Sequence, residues 1–215
     1  MIQLTLGAIV ICNYTLFADD LDVFYSRDVV PSNPEQKSHA NSLGFHRISG
    51  HISSSANAAE FIYTGRYLEL KEFRRVYVST VIPNVPVGWA IPIGERLFRV
   101  EGGSVEGIEF RRCERSYELP KLEKSNVTIC ESGTCHLGDH FLININNVSV
   151  KEELHGGRIT VIKKGNRNAT PVEFEFVKVG DTVRFEKYYF EVTALRMSDV
   201  NKKIVGWATL KFGVD

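Results

Sequence analysis

No surplus of charge marks this chain: 26 Lys and Arg are matched by 26 Asp and Glu. No basic block occurs either, and the densest clusters are pairs such as Arg74-Arg75, Arg111-Arg112 and Lys163-Lys164. Electrostatic capture of nucleic acid, which needs a concentrated positive surface, is therefore not expected. No long stretch carries the 3.6-residue apolar period of a core helix. The Gly-x-Ser-x-Gly elbow of a hydrolase is missing. Gly102-Gly103-Ser104 lacks the later glycine and lysine of a phosphate loop. The acid pairs Asp19-Asp20 and Glu152-Glu153 read as solvated surface rather than a general acid with its base. No catalytic residue is assigned on these grounds, and no cofactor is expected.

What is present begins with an uncharged opening segment. Leu4–Ile11 is an apolar core, Phe17-Ala18 offers a small residue at a cut, and Asp19-Asp20 suits a mature N-terminus. These are the parts of an export signal, except that no Lys or Arg precedes the core. Residues 1–18 are accordingly expected to be a signal peptide, and the protein to be secreted or periplasmic. A buried first strand built on Leu4, Leu6 and Ile9–Ile11 is the main competing reading. A permanent anchor fits less well, because the run falls short of ~20 apolar residues. No stable membrane insertion is expected after signal removal.

The cysteines fit an oxidising compartment. Removing Cys12 with the signal leaves Cys113, Cys130 and Cys135. In Cys130-Glu-Ser-Gly-Thr-Cys135, Ser132-Gly133 can form a two-residue hairpin loop. Cys130 and Cys135 would then face each other as a close cross-strand pair, a site compatible with a disulfide. So small a loop would stabilise by roughly 2 kcal/mol. Cys113 is left over, as a buried thiol or as the partner of one of the two; a redox or metal pair is the other reading. Asn-x-Ser/Thr triplets stand at Asn13, Asn126, Asn147 and Asn168, candidate glycan sites in a eukaryotic secretory protein.

The texture of the remainder is β. Residues 19–58 are polar and read as an irregular N-terminal segment. From there, short alternating or β-branched runs are punctuated by Gly, Asn and Asp turns, the pattern of a sandwich or barrel. Phe61–Leu70 reads as strand, Thr-Gly turn, strand, and Gly156-Gly157 as a break between strands. Val85–Val100 aligns without gaps on Val177–Val192, sharing Val, Val, Gly, Phe and Val at matching places. The expectation is an antiparallel, all-β chain with lobes 59–122 and 123–215, read as one domain or two. The match is read either as a duplicated β-module, with Phe98 and Phe190 in the cores of related lobes, or as the ordinary likeness of any two strand-turn-strand units with alternating apolar residues.

Two groups of side chains invite a functional reading. Cys130, Cys135, His136 and His140 combine thiols and imidazoles, but the spacing is not that of a zinc finger and thiolates in an oxidising space sooner form a disulfide. His136 and His140 remain weak metal candidates, provided both lie on one strand face; Gly138-Asp139 argues for a turn that would separate them. His39, His46 and His51 sit in the polar N-terminal segment and read as solvated. Trp89 between Pro86 and Pro92 is the candidate partner-binding loop, stiffened by its prolines; core packing is the commoner fate of both Trp89 and Trp207. The resulting expectation is a non-enzymatic β-protein that binds a protein or surface polymer, such as an inhibitor, immunity-type or assembly accessory protein. The alternatives are a secreted hydrolase with acids and histidines assembled from distant segments, and an adhesive module that uses an open edge strand.

Overall fold

The computed structural model describes residues 23–25, 47–53, 57–70, 75–93, 96–104, 107–113, 119, 123, 125–151, 154–165 and 170–215. The proposed signal segment therefore lies outside the described residues, as do His39 and His46. Fifteen strands are described and no helix. They are β1 (Val23–Tyr25), β2 (Arg47–Ser53), β3 (Ala58–Glu69), β4 (Arg75–Pro86), β5 (Ala90–Ile93), β6 (Arg96–Ser104), β7 (Gly107–Arg112), β8 (Asn126–Cys130), β9 (Thr134–Leu137), β10 (Phe141–Lys151), β11 (Leu154–Lys163), β12 (Val172–Lys178), β13 (Thr182–Phe185), β14 (Tyr188–Arg196) and β15 (Trp207–Val214). All pair antiparallel within three sheets, ordered β1-β7-β6-β5, β12-β11-β10-β9-β4-β3-β2 and β13-β14-β15-β8.

The two aligned segments form the same strand-turn-strand unit, with matching hydrogen bonds at the turn. Gly88 N–H donates to Val100 O (2.7 Å) and Val100 N–H to Trp89 O (2.9 Å); Gly180 N–H donates to Val192 O (2.8 Å) and Val192 N–H to Asp181 O (3.0 Å). Both glycines take a left-handed backbone, φ 87° and 91°, which is why the motif needs glycine there. Ile91 faces Phe98 across β5–β6 as Val183 faces Phe190 across β13–β14. Phe98 and Phe190 are both 0 % exposed. The likeness runs further than the sequence alignment. A bulge interrupts the next ladder at Val100/Gly102 and again at Val192/Ala194. Another falls at Ala59/Phe61 and at Gly157/Ile159. Asn84 and Phe176, two residues before the shared turns, are both left-handed (φ 55° and 52°). Each lobe thus has a four-stranded sheet of one order, β1-β7-β6-β5 or β8-β15-β14-β13, facing a meander, β2-β3-β4 or β10-β11-β12.

The short strand β9 joins the two meanders. It pairs with β10 on one side and with β4 on the other, so six strands of two lobes become one seven-stranded sheet. The twelve-residue strands β3 and β4 serve both cores. Ala59, Ile82 and Val85 pack with β5–β7, whereas Leu68 and Val78 pack with β9–β15.

Several local expectations are corrected. Phe61–Leu70 holds no reversal; Gly65 is the extra residue of a bulge between Thr64 and Arg66, and β3 runs through it. Gly156 and Gly157 lie inside β11 rather than between strands. A Cβ at Gly156 would meet the Phe176 ring at 2.7 Å, so the glycine makes room for that ring. Strands β1 and β2 fall within the segment read as irregular. Asn126 is buried in β8 at 5 % exposure, which closes that triplet to a glycan in the folded state. Asn13, Asn168 and the Asn147 side chain lie outside the described residues.

Candidate binding groove

The Cys130–Cys135 hairpin does not form. Chain direction does reverse there: Gly133 N–H donates to Cys130 O (2.8 Å), with Ser132 left-handed at φ 63°. But the flanking strands separate, β8 pairing with β15 and β9 with β4 and β10. Cys130 packs in the core of the first lobe and Cys135 in that of the second, and no disulfide joins them or Cys113. The turn is a passage between sheets, and cross-strand geometry is lost with it. Cys113 packs beside Ala90, Leu97, Ile204 and Trp207. Burial raises its thiol pKa, partly opposed by the charge of Arg99.

His136 and His140 are also separated in kind. His136 is in β9, whereas His140 ends the turn that begins at Gly138 (φ 54°), so the same-face condition fails. Among the described residues no group of three His, Cys, Asp or Glu is placed to hold a metal ion. Burial, and next the charge of Lys164, lowers the His136 pKa from 6.5. His51 lies in β2, but its side chain is outside the described residues.

The proline-flanked loop is more buried than its composition suggests. Pro92 is inside β5, a strand buried at every position, and Trp89 is half-buried against the first core with Val87 and Val205. Only Pro86 of the three is exposed. Trp207 is buried too, at 3 % exposure, with the Arg196 guanidinium 5.4 Å above its ring. Strand β5 removes these residues from the surface because its outer edge is covered from the other lobe. Ala90 N–H donates to Lys203 O (2.7 Å), and Val205 N–H donates to Ala90 O (2.9 Å).

The covering segment is the principal difference between the copies. Between β6 and β7 only two residues intervene, Val105-Glu106; between β14 and β15 there are ten, Met197–Gly206. This longer loop closes on itself through Asp199 and Ile204, whose backbones exchange hydrogen bonds of 2.8 and 2.9 Å. Glu131 anchors its base. Ser198 Oγ–H donates to Glu131 Oε2 (2.7 Å), Val148 N–H to Oε1 (3.1 Å), and Gly206 N–H to Ser198 Oγ (2.8 Å).

On the loop's other side an open groove of about 1150 Å³ runs between Met197–Asn201, the end of β14 and the Lys178–Asp181 turn. Half-buried Leu195 and Met197 lie in it, and two exposed valines line it, Val179 at 55 % and Val200 at 71 % exposure. Its acids are engaged by backbone: Asp181 accepts from Lys178 N–H (2.8 Å) and Asp199 from Lys202 N–H (3.0 Å). Lys178, Arg196 and His155 complete the wall. The arrangement offers apolar contact framed by two cations and two carboxylates, and the carboxylates also hold turns. None of these residues was singled out from sequence. The available signal was the surplus length of 197–206 over its counterpart, visible once the copies are aligned through their third strands. The chain matches no family model, no curated protein and no solved structure.

Proposed function

We propose that this chain is an exported, non-enzymatic binding protein whose second lobe receives an extended segment of a partner protein in the groove. The observation that carries the reading is that exposed Val179 and Val200 line the same groove as half-buried Leu195 and Met197. Exposed aliphatic side chains that flank an apolar floor mark interaction sites more often than isolated surface residues do. Lys178 and Arg196 are balanced by Asp181 and Asp199, so the apolar floor rather than net charge selects the occupant, a segment rich in aliphatic residues. Export rests on the Leu4–Ile11 core and the Ala18 cut in the sequence.

A displayed library of random peptides selected on the full chain tests the proposal. Enriched sequences should be rich in Ile, Val or Leu. Their affinity should fall about tenfold in a Val179→Asp, Val200→Asp double variant. Enrichment indifferent to that variant, or binding to an anionic polysaccharide in place of peptides, overturns it.

A further inference from the structure

We infer that the outer edge of β13 is a second interaction surface, one that accepts an extended strand of a partner protein in parallel. Independently of the groove, the equivalent edge of the first lobe already holds a bound segment.

In both lobes a two-residue loop closes the hairpin, so the pairs Ile93–Arg96 and Phe185–Tyr188 are equivalent. Two residues back, Ile91 and Val183 also bond inward. The backbone groups of Ala90 and Pro92, and of Thr182 and Arg184, therefore point away from the sheet. In the first lobe that edge is used: Lys203-Ile204-Val205 lies parallel to β5, and Ile204 packs against Ala90, Leu97 and Trp207. Pro92, two residues on, has no N–H to donate to such a segment.

Strand β13 presents the same edge without that proline. It is the terminal strand of its sheet, and among the described residues nothing pairs with its outer side. Arg184 replaces Pro92, so two residues, Thr182 and Arg184, each offer an N–H and a C=O. Both are exposed. Tyr189 takes the place of Leu97, and its ring lies over Gly213, where a Cβ would run into it. Arg184 stacks 5.2 Å from the Tyr189 ring and pairs with Asp215 (2.6 Å). The seat is thus a half-buried ring beside a guanidinium. It fits a strand with an aliphatic residue opposite Thr182 and, two positions on, an acidic residue opposite Arg184. Main-chain bonding supplies the attachment and these two side chains the selectivity.

The probe is a capped pentapeptide, Lys-Ile-Val-Glu-Val, titrated into the full chain labelled with nitrogen-15. The Thr182 and Arg184 amide signals should shift, and their hydrogen exchange should slow about tenfold near saturation. Arg184→Pro should fold, since proline already holds the equivalent place in β5, and should abolish the effect. Arg184→Ala keeps the N–H and should retain the backbone protection with weaker binding. Unchanged Thr182 and Arg184 signals at millimolar peptide overturn the inference. So does equal protection in Arg184→Pro. Concentration-dependent protection without peptide, lost in Arg184→Pro, would make the occupant a second copy of this chain and overturn the partner assigned here.

Discussion

The two lobes are one module with its edges treated in opposite ways. In the first lobe the outer edge of β4 is open at Val78–Val81 and receives β9, while the edge of β5 lacks a donor at Pro92. In the second, Pro171 stands at the place of Ser79 and β12 begins only at Val172, while Arg184 restores a donor to β13. Glu173 and Glu175 are exposed along β12. A proline and charged residues on an edge strand are the usual defence against further pairing. The comparison shows how a duplicated sandwich limits itself. The seven-stranded sheet grows from the first lobe into the second through β9, and the Pro171 edge discourages it from growing further.

The largest expected effect tests whether the cores are equivalent. Phe98→Ala and Phe190→Ala each remove a fully buried ring and should each cost about 3–5 kcal/mol in urea unfolding. A loss under about 1 kcal/mol at either position would break the equivalence.

The base of the covering loop comes next. Glu131→Ala removes the acceptor shared by Val148 N–H and Ser198 Oγ–H and should cost about 2–3 kcal/mol by the same measurement. Ser198→Ala leaves Glu131 its Val148 donor but strands the Gly206 N–H, and should cost about 1–2 kcal/mol. A larger loss in Ser198→Ala than in Glu131→Ala would show that the Gly206 bond, rather than the carboxylate, holds the loop base.

A smaller effect sharpens the comparison at the left-handed residues. The first lobe uses Ala58 and Asn84 where the second uses Gly156 and Phe176. Gly156→Ala alone should destabilise by about 1–3 kcal/mol, since its Cβ meets the Phe176 ring. Adding Phe176→Asn transplants the pair from the first lobe and should recover part of that loss, a coupling that a double-mutant cycle reads directly. Strict additivity would mean that the ring and the glycine are not coupled.

The smallest effect is a pH dependence. The His136 pKa is lowered in the fold by burial and then by Lys164, so the unfolded chain binds a proton more readily. Stability should be unaffected by His136 above its ordinary pKa of 6.5 and should fall as pH drops below it, down to the folded value. His136→Gln should flatten that part of the stability profile. An unchanged slope would assign the acid sensitivity to other groups.

Much of this was legible from residues close together in the chain. Alternation in Val172–Val177 and Tyr189–Leu195 marks strands, because period two puts one face in the core. The Val-x-Val-Gly pattern marks a turn, because few residues other than glycine tolerate a φ near +90°. From those two rules came the all-β class, the paired lobes and the burial of Phe98 and Phe190. Trp89 packs against the core and the Gly138 turn separates His136 from His140, the commoner reading of each. The Cys130–Cys135 disulfide was expected on the assumption that a segment pairs with its neighbour in sequence, and it does not form. Cys130 instead meets Trp207, β9 inserts between β4 and β10, and Pro92 is covered with β5 by a segment more than a hundred residues away. Local dihedral preference and apolar period are written in adjacent residues, so the sequence determined what the pieces are and offered their repetition as one of two readings. Which edge each piece joins is a competition among distant strands for the same backbone hydrogen bonds, and only the tertiary structure decided it.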